Sequence, residues 1–158
     1  MARGTTRCQC VVLIAAPLVS GLARAVCLTL ASHPDVAALT GLELPEDETS
    51  FAITYVHSVT RTPISEHYHI EGREIVETEI QFEQLGPGLP TEADAGGTFT
   101  HRDGRFVVTM NRRFPAIVMQ VNTDQAPRLV AGTRSSDLAQ WGNRALMLES
   151  ASGSCAGT

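Results

Sequence analysis

Lysine is absent from this chain, and cysteine is absent from everything between residues 28 and 154. All twelve basic residues are therefore arginine, set against seventeen acidic ones for a formal net charge of -5. No basic cluster forms; even Arg112-Arg113 is too short for a binding patch, which argues against a nucleic-acid partner. The acidity is mild and scattered, and the overall charge names no cationic partner. With Cys8, Cys10 and Cys27 in the leader and Cys155 in the tail, the folded part is expected to have no internal disulfide and no thiolate metal site. Cys8-Gln-Cys10 has the wrong spacing for a redox pair, and Cys27 follows a poor lipoprotein cleavage sequence. Internal repeats and coiled-coil heptads are also missing.

The first part of the chain differs from the rest. Arg3 and Arg7 precede a nearly continuous apolar run, Val11 to Ala23, as in the charged and apolar regions of a secretory signal. Ala23-Arg24-Ala25 offers a small-x-small cleavage site. Read on through Arg24 to Ala31, the same run is about long enough, at around 20 residues, to span a bilayer as an apolar helix. Residues 1–32 are thus expected to be a signal peptide or a membrane anchor, and both remain open. Residues 33–41 read as a linker, 42–150 as one folded domain, and 151–158 as a frayed tail. The location this implies is extracytoplasmic: secreted, periplasmic or anchored on the outer face of the cell membrane.

The domain reads as β throughout. Alternation marks strands at 51–57, 64–70 and 74–82, the last with Val76, Thr78, Ile80 and Phe82 on one face and Glu77 and Glu79 on the other. Strands at 98–101 and 105–110 flank Asp103-Gly104, a strong hairpin turn signal. Further short strands fall at 117–121, 128–131 and 145–149. This spacing predicts an antiparallel sandwich or partly closed barrel of about seven to nine strands.

The hairpin from Tyr55 to Tyr68 holds the most chemistry. Pairing His57 with Ile64 puts Phe51, Ile53, Tyr55, His57, Ile64, Glu66, Tyr68 and Ile70 on one apolar face. His57 and Glu66 become diagonal neighbours there, and buried ionisable groups need a partner or a purpose. Ser58, Thr60 and Thr62 are placed to bond the loop's own backbone, and Pro63 pre-shapes it. A plain His-Glu pair closing the hairpin accounts for the same residues. His67 and His69 share the opposite face; their spacing suits two ligands of a zinc or copper ion, with His101 a third, or a solvated polar face. Ser58 beside His57 invites a hydrolase reading, yet neighbours on a strand point apart and no G-x-S-x-G elbow is present. Gly86-Pro-Gly88 lacks the helix and lysine of a phosphate loop and reads as a turn. Trp141 reads as a core or edge anchor.

Tyr55, His57-Ser58-Val59, Thr62-Pro63, Glu66 and Tyr68 resemble the signature Y-x-H-S-V-x-x-T-P-x-x-E-x-Y of the domain of unknown function 1850. The resemblance continues through Glu79, Phe82 and Gly86-Pro-Gly88-Leu-Pro90. Thr60-Arg61 keeps only the basic one of two charged residues frequent after H-S-V. The resemblance implies short exported or membrane-anchored proteins linked to TAXI-type tripartite ATP-independent periplasmic (TRAP) transporters. The expectation is a non-catalytic accessory or binding module, with transporter subunits as partners and no cofactor or metal. Its candidate ligand- or partner-binding residues are His57, Ser58, Thr62, Glu66, Tyr68, Gly86 and Gly88. The alternatives are a metal-binding protein using His67 and His69, and a hydrolase using Ser58 and His57.

Overall fold

Period-two alternation sets the architecture, because each strand buries one face and leaves the other to solvent. The computed structural model describes residues 26–44, 49–153 and 155. Over these the chain forms eleven strands: β1 Val26–Ser32, β2 Ala38–Leu44, β3 Ser50–Val56, β4 Pro63–Glu71, β5 Glu74–Phe82, β6 Phe99–Arg102, β7 Arg105–Phe114, β8 Ala116–Gln120, β9 Arg128–Ala131, β10 Arg134–Asp137 and β11 Ala145–Ser152. A four-stranded sheet runs β2-β1-β11-β8 and a seven-stranded sheet runs β10-β9-β3-β4-β5-β7-β6. Every pairing is antiparallel. Leu28, Leu30, Leu44, Leu146 and Leu148 of the small sheet pack against Phe51, Ile53, Tyr68, Ile70 and Ile75 of the large one. The expected sandwich is therefore found, with three strands beyond the eight that alternation marks: β1, β2 and β10.

Two of those three come from residues assigned to the leader and linker. Val26–Ser32 forms β1, a central strand of the small sheet, with Leu28 and Leu30 buried. Its hydrophobicity belongs to the core and only resembles a continuation of the preceding apolar run. Residues 1–25, on which the signal and anchor expectations rest, lie outside the described residues. No helix among the described residues is long and apolar enough to cross a membrane. Cys27 of β1 is joined to Cys155 by a disulfide spanning 128 residues of sequence. The expectation of a folded part without an internal disulfide is thus corrected: Cys27 belongs to β1 of the domain, not to a leader, and Cys155 is tied back to it. Gly41 of β2 makes room for it: a Cβ there would lie 2.8 Å from Cys155 Sγ and 3.3 Å from Cys27 Sγ.

The large sheet is wider than the small one, so its inner face needs a second cover. Ile64, Ile80, Phe82, Val108 and Met110 form a separate apolar cluster. Leu89 and Ala93, in the 83–98 connection between β5 and β6, pack on it. Tyr55 packs against both clusters and marks their seam. The Asp103-Gly104 turn is as expected, with φ of 51° and 75°, the pair of positive values that a tight hairpin requires.

Candidate functional site

The β3–β4 hairpin has the expected faces in a different register. Tyr55 pairs with Ile64, Ile53 with Glu66 and Phe51 with Tyr68. That is a slip of two residues from the pairing read off the sequence. A slip of two keeps every side chain on its own face, so alternation alone cannot detect it. The slip moves His57 out of the ladder and gives Tyr55 the position diagonal to Glu66.

His57 is buried at the start of the connecting loop. Its amide donates to Thr62 O at 2.9 Å, and the Arg61 amide donates back to His57 O at 3.0 Å. The ring takes over the role expected of the hydroxyls: Nδ1 accepts from the Val59 and Thr60 amides at 3.3 and 3.1 Å. Nε2 lies 3.0 Å from Pro87 O. A carbonyl only accepts, so Nε2 carries the proton and the neutral tautomer is fixed. Gly86 allows this approach, since a Cβ there would lie 3.2 Å from His57 Cε1 and 2.8 Å from Thr60 Cγ2. His57 thus fastens the first loop to the Gly86-Pro87-Gly88 turn. Thr62 bonds Thr60 through their hydroxyls at 2.9 Å, and Ser58 is exposed. With both ring nitrogens engaged by backbone, His57 has no lone pair to serve Ser58 as a base.

Glu66 sits elsewhere, on the seam between the two apolar clusters. Tyr55 donates to its Oε1 and Tyr68 to its Oε2, each at 2.8 Å. Tyr68 is itself stacked on Phe51, with ring centroids 5.1 Å apart. Burial, then the Glu66 charge, pushes both phenols well above their ordinary range.

A β-bulge adds the second carboxylate. In β5 the register with β4 shifts so that Glu77 faces Tyr68, Glu79 faces His67, and Thr78 is the extra residue between them. The bulge reverses the alternation, and Glu77 joins the inner face it was expected to avoid. Glu77 is only 8 % exposed. It accepts no hydrogen bond among the described residues, and the cation near it is Arg112, 3.8 Å away. Arg112 is held by Asp94 of the 83–98 connection through contacts of 2.6 and 2.9 Å. Burial, and then the Glu66 charge, pushes the Glu77 carboxyl up to about 7 against the smaller opposing pull of Arg112.

These groups form one wall of a cavity of about 470 Å³ between the sheets. Tyr55, Glu66, Tyr68, Glu77 and Arg112 give its polar side, while Ile53, Ile117, Met119 and Val121 are among its apolar residues. Of the residues singled out in the sequence, Glu66 and Tyr68 line this cavity; His57, Ser58, Thr62, Gly86 and Gly88 lie outside its lining. Tyr55 was read as part of the hairpin face and the signature, Glu77 as an outer-face residue and Arg112 as no binding patch; none of the three was among the candidate site residues. One signal for Glu77 was legible: Ile75 and Ile80 are both core residues, and their odd separation requires a break in alternation between them.

His67 and His69 do share the outer face, beside a groove of about 620 Å³. His67 Nε2 lies 2.9 Å from Ser65 Oγ, and His69 Nε2 lies 2.7 Å from Glu71 Oε1. His101 is on another strand, packed against Phe106. No group of three or more histidine, cysteine or acidic side chains suited to a metal ion is found among the described residues.

No curated protein and no solved structure matches the chain. The profile of one family, described as a domain of unknown function (DUF1850), matches residues 51–138, from β3 through the start of the turn after β10. That span is more than half of the 158 residues, and it includes both loops fastened by His57 and all seven polar residues that line the cavity, Gln120 and Gln125 among them. The chain therefore belongs to the DUF1850 family.

Proposed function

We propose that the protein is a non-catalytic binding module acting outside the cytoplasm, an accessory of TAXI-type TRAP solute uptake, and that the cavity between its sheets is the binding site. The observation that carries the reading is the Glu66 carboxylate, held on both oxygens by tyrosine hydroxyls at a cavity wall. Orienting a charged acceptor before a ligand arrives lowers the ordering cost of binding. Concave sites with apolar walls and a few converging polar groups are the usual form of small-molecule sites. The Cys27–Cys155 disulfide supports an oxidising compartment. The link to a transporter rests on the family resemblance, an association rather than a physical argument.

The test is affinity capture from membranes of the native host, with the proteins retained identified by mass spectrometry. Transporter subunits should be retained by the wild-type protein. A wild-type capture without any transporter subunit would remove the accessory role.

A further inference from the structure

We infer that the cavity takes a small organic cation, an ammonium or guanidinium group carried on a short apolar body, with the charged head between Glu66 and Glu77. The inference rests on the cavity being the binding site and adds the class of ligand.

Two carboxylates share this wall with one guanidinium, and Asp94 already holds that guanidinium with two hydrogen bonds. The remaining imbalance is negative. Glu77 supplies the independent mark of an absent partner: it is nine-tenths buried, lines the cavity and accepts no hydrogen bond among the described residues. Its one neighbouring cation among the described residues, Arg112 at 3.8 Å, makes no hydrogen bond to it and is held by Asp94, and a carboxylate in that setting is costly unless a donor reaches it. Glu66 retains acceptor capacity, because each of its oxygens takes one tyrosine donor and a carboxylate has about four acceptor sites. Tyr55 and Tyr68 hold these oxygens in place through their hydroxyls, so the charge is oriented before a cation arrives. Ile53, Ile117, Met119 and Val121 favour a hydrocarbon body over a hydrated metal ion.

The charged and titratable groups around Glu77 are Tyr55 on β3, Glu66 and Tyr68 on β4, Arg112 on β7 and Asp94 in the 83–98 connection; β8 contributes only neutral side chains to the cavity. Since Glu77 holds its proton up to about pH 7, a cation competes with that proton, and its affinity rises with pH through neutrality.

The test is titration of the disulfide-intact protein with n-butylammonium, n-butylguanidinium and butyrate, followed through the NMR signals of Tyr55 and Tyr68. Either cation should shift both tyrosines saturably, about tenfold more tightly at pH 8 than at pH 5.5, and butyrate should not. Glu77→Gln should weaken the cation at least about tenfold at pH 8 and remove the pH dependence, with an unchanged amide spectrum showing that the fold is kept. Saturable binding of butyrate at the same tyrosines, without the cations, would overturn the ligand class and leave the cavity as the binding site. If neither charge type gave a saturable shift, or if Glu77→Gln bound the cations as tightly as wild type, the inference would fall. Retention of transporter subunits is measured separately, so the accessory role stands or falls on its own.

Discussion

Tyr55 Oη lies 2.8 Å from Glu66 Oε1, in the diagonal cross-strand position that the sequence had given to His57. A phenol and an imidazole in that place mean different things. The phenol donates to the carboxylate at the cavity wall, whereas the imidazole is spent on closing a loop. The cavity wall is therefore built around a tyrosine-clamped glutamate, and the histidine fastens the two loops beside it.

The chain has only two tyrosines, and both donate to Glu66. Alkaline titration followed at the phenolate absorbance therefore reads the site directly. Neither phenol should ionise in its ordinary range while the fold persists, because burial and the Glu66 charge oppose a second anion. Glu66→Gln should bring both titrations down. Phenolate appearing near pH 10 in the folded wild-type protein would contradict the clamp.

Glu77 makes stability depend on pH in a definite direction. Its carboxyl is raised from the ordinary 4.5 to about 7, so the folded chain binds a proton more tightly than the unfolded chain does. Its contribution favours the fold fully below about pH 4.5 and is lost as the pH rises through about 7. Discounted for the solvent that reaches the cavity, the loss is about 1–2 kcal/mol. Glu77→Gln should remove that slope and stabilise the protein by about the same amount at pH 8. Urea unfolding of both proteins between pH 4.5 and 8 checks this, and parallel curves would exclude the assigned role of Glu77.

His57→Ala removes the acceptor of two loop amides and the donor to Pro87 O. Stranding these groups should destabilise by roughly 2–4 kcal/mol. Gly86→Ala should destabilise by roughly 1–3 kcal/mol through crowding of His57 and Thr60. Glu66→Gln should stay close to wild type in stability while weakening the ligand. A stable His57→Ala variant with lost binding would reverse these assignments.

The disulfide ties β1 to the C-terminal segment across 128 residues. Reduction, or Cys155→Ser, should lower stability by roughly 2–4 kcal/mol. Gly41→Ala should hinder closure, since the added methyl meets both sulfur atoms; free-thiol counts under non-reducing conditions measure it. If the leader is cleaved at Ala23-Arg24-Ala25, N-terminal sequencing of exported protein should begin at Val26. That is the first residue of β1, so such cleavage leaves every described strand in place.

Much of the fold was legible because period-two alternation and turn residues are local. The strands from β3 to β9, the Asp103-Gly104 turn and the inner face of the hairpin follow from them. β1 was not legible, since a fully buried strand and the end of an apolar leader present the same hydrophobic run. The site was half legible. Glu66 and Tyr68 stood out as polar groups on an apolar face, whereas Arg112 is one of many arginines until Asp94 and Glu77 are brought to it.

Residue type at short spacing was enough for the all-β class, the sidedness of each regular strand and the family. What the hairpin's polar residues touch follows only from the folded chain. Register, the bulge at Thr78 and the pairing of Cys27 with Cys155 depend on contacts between segments far apart in sequence. A two-residue slip conserves the pattern of faces and changes every neighbour. That slip moved His57 from the ladder to the loop closure and put Tyr55 against Glu66.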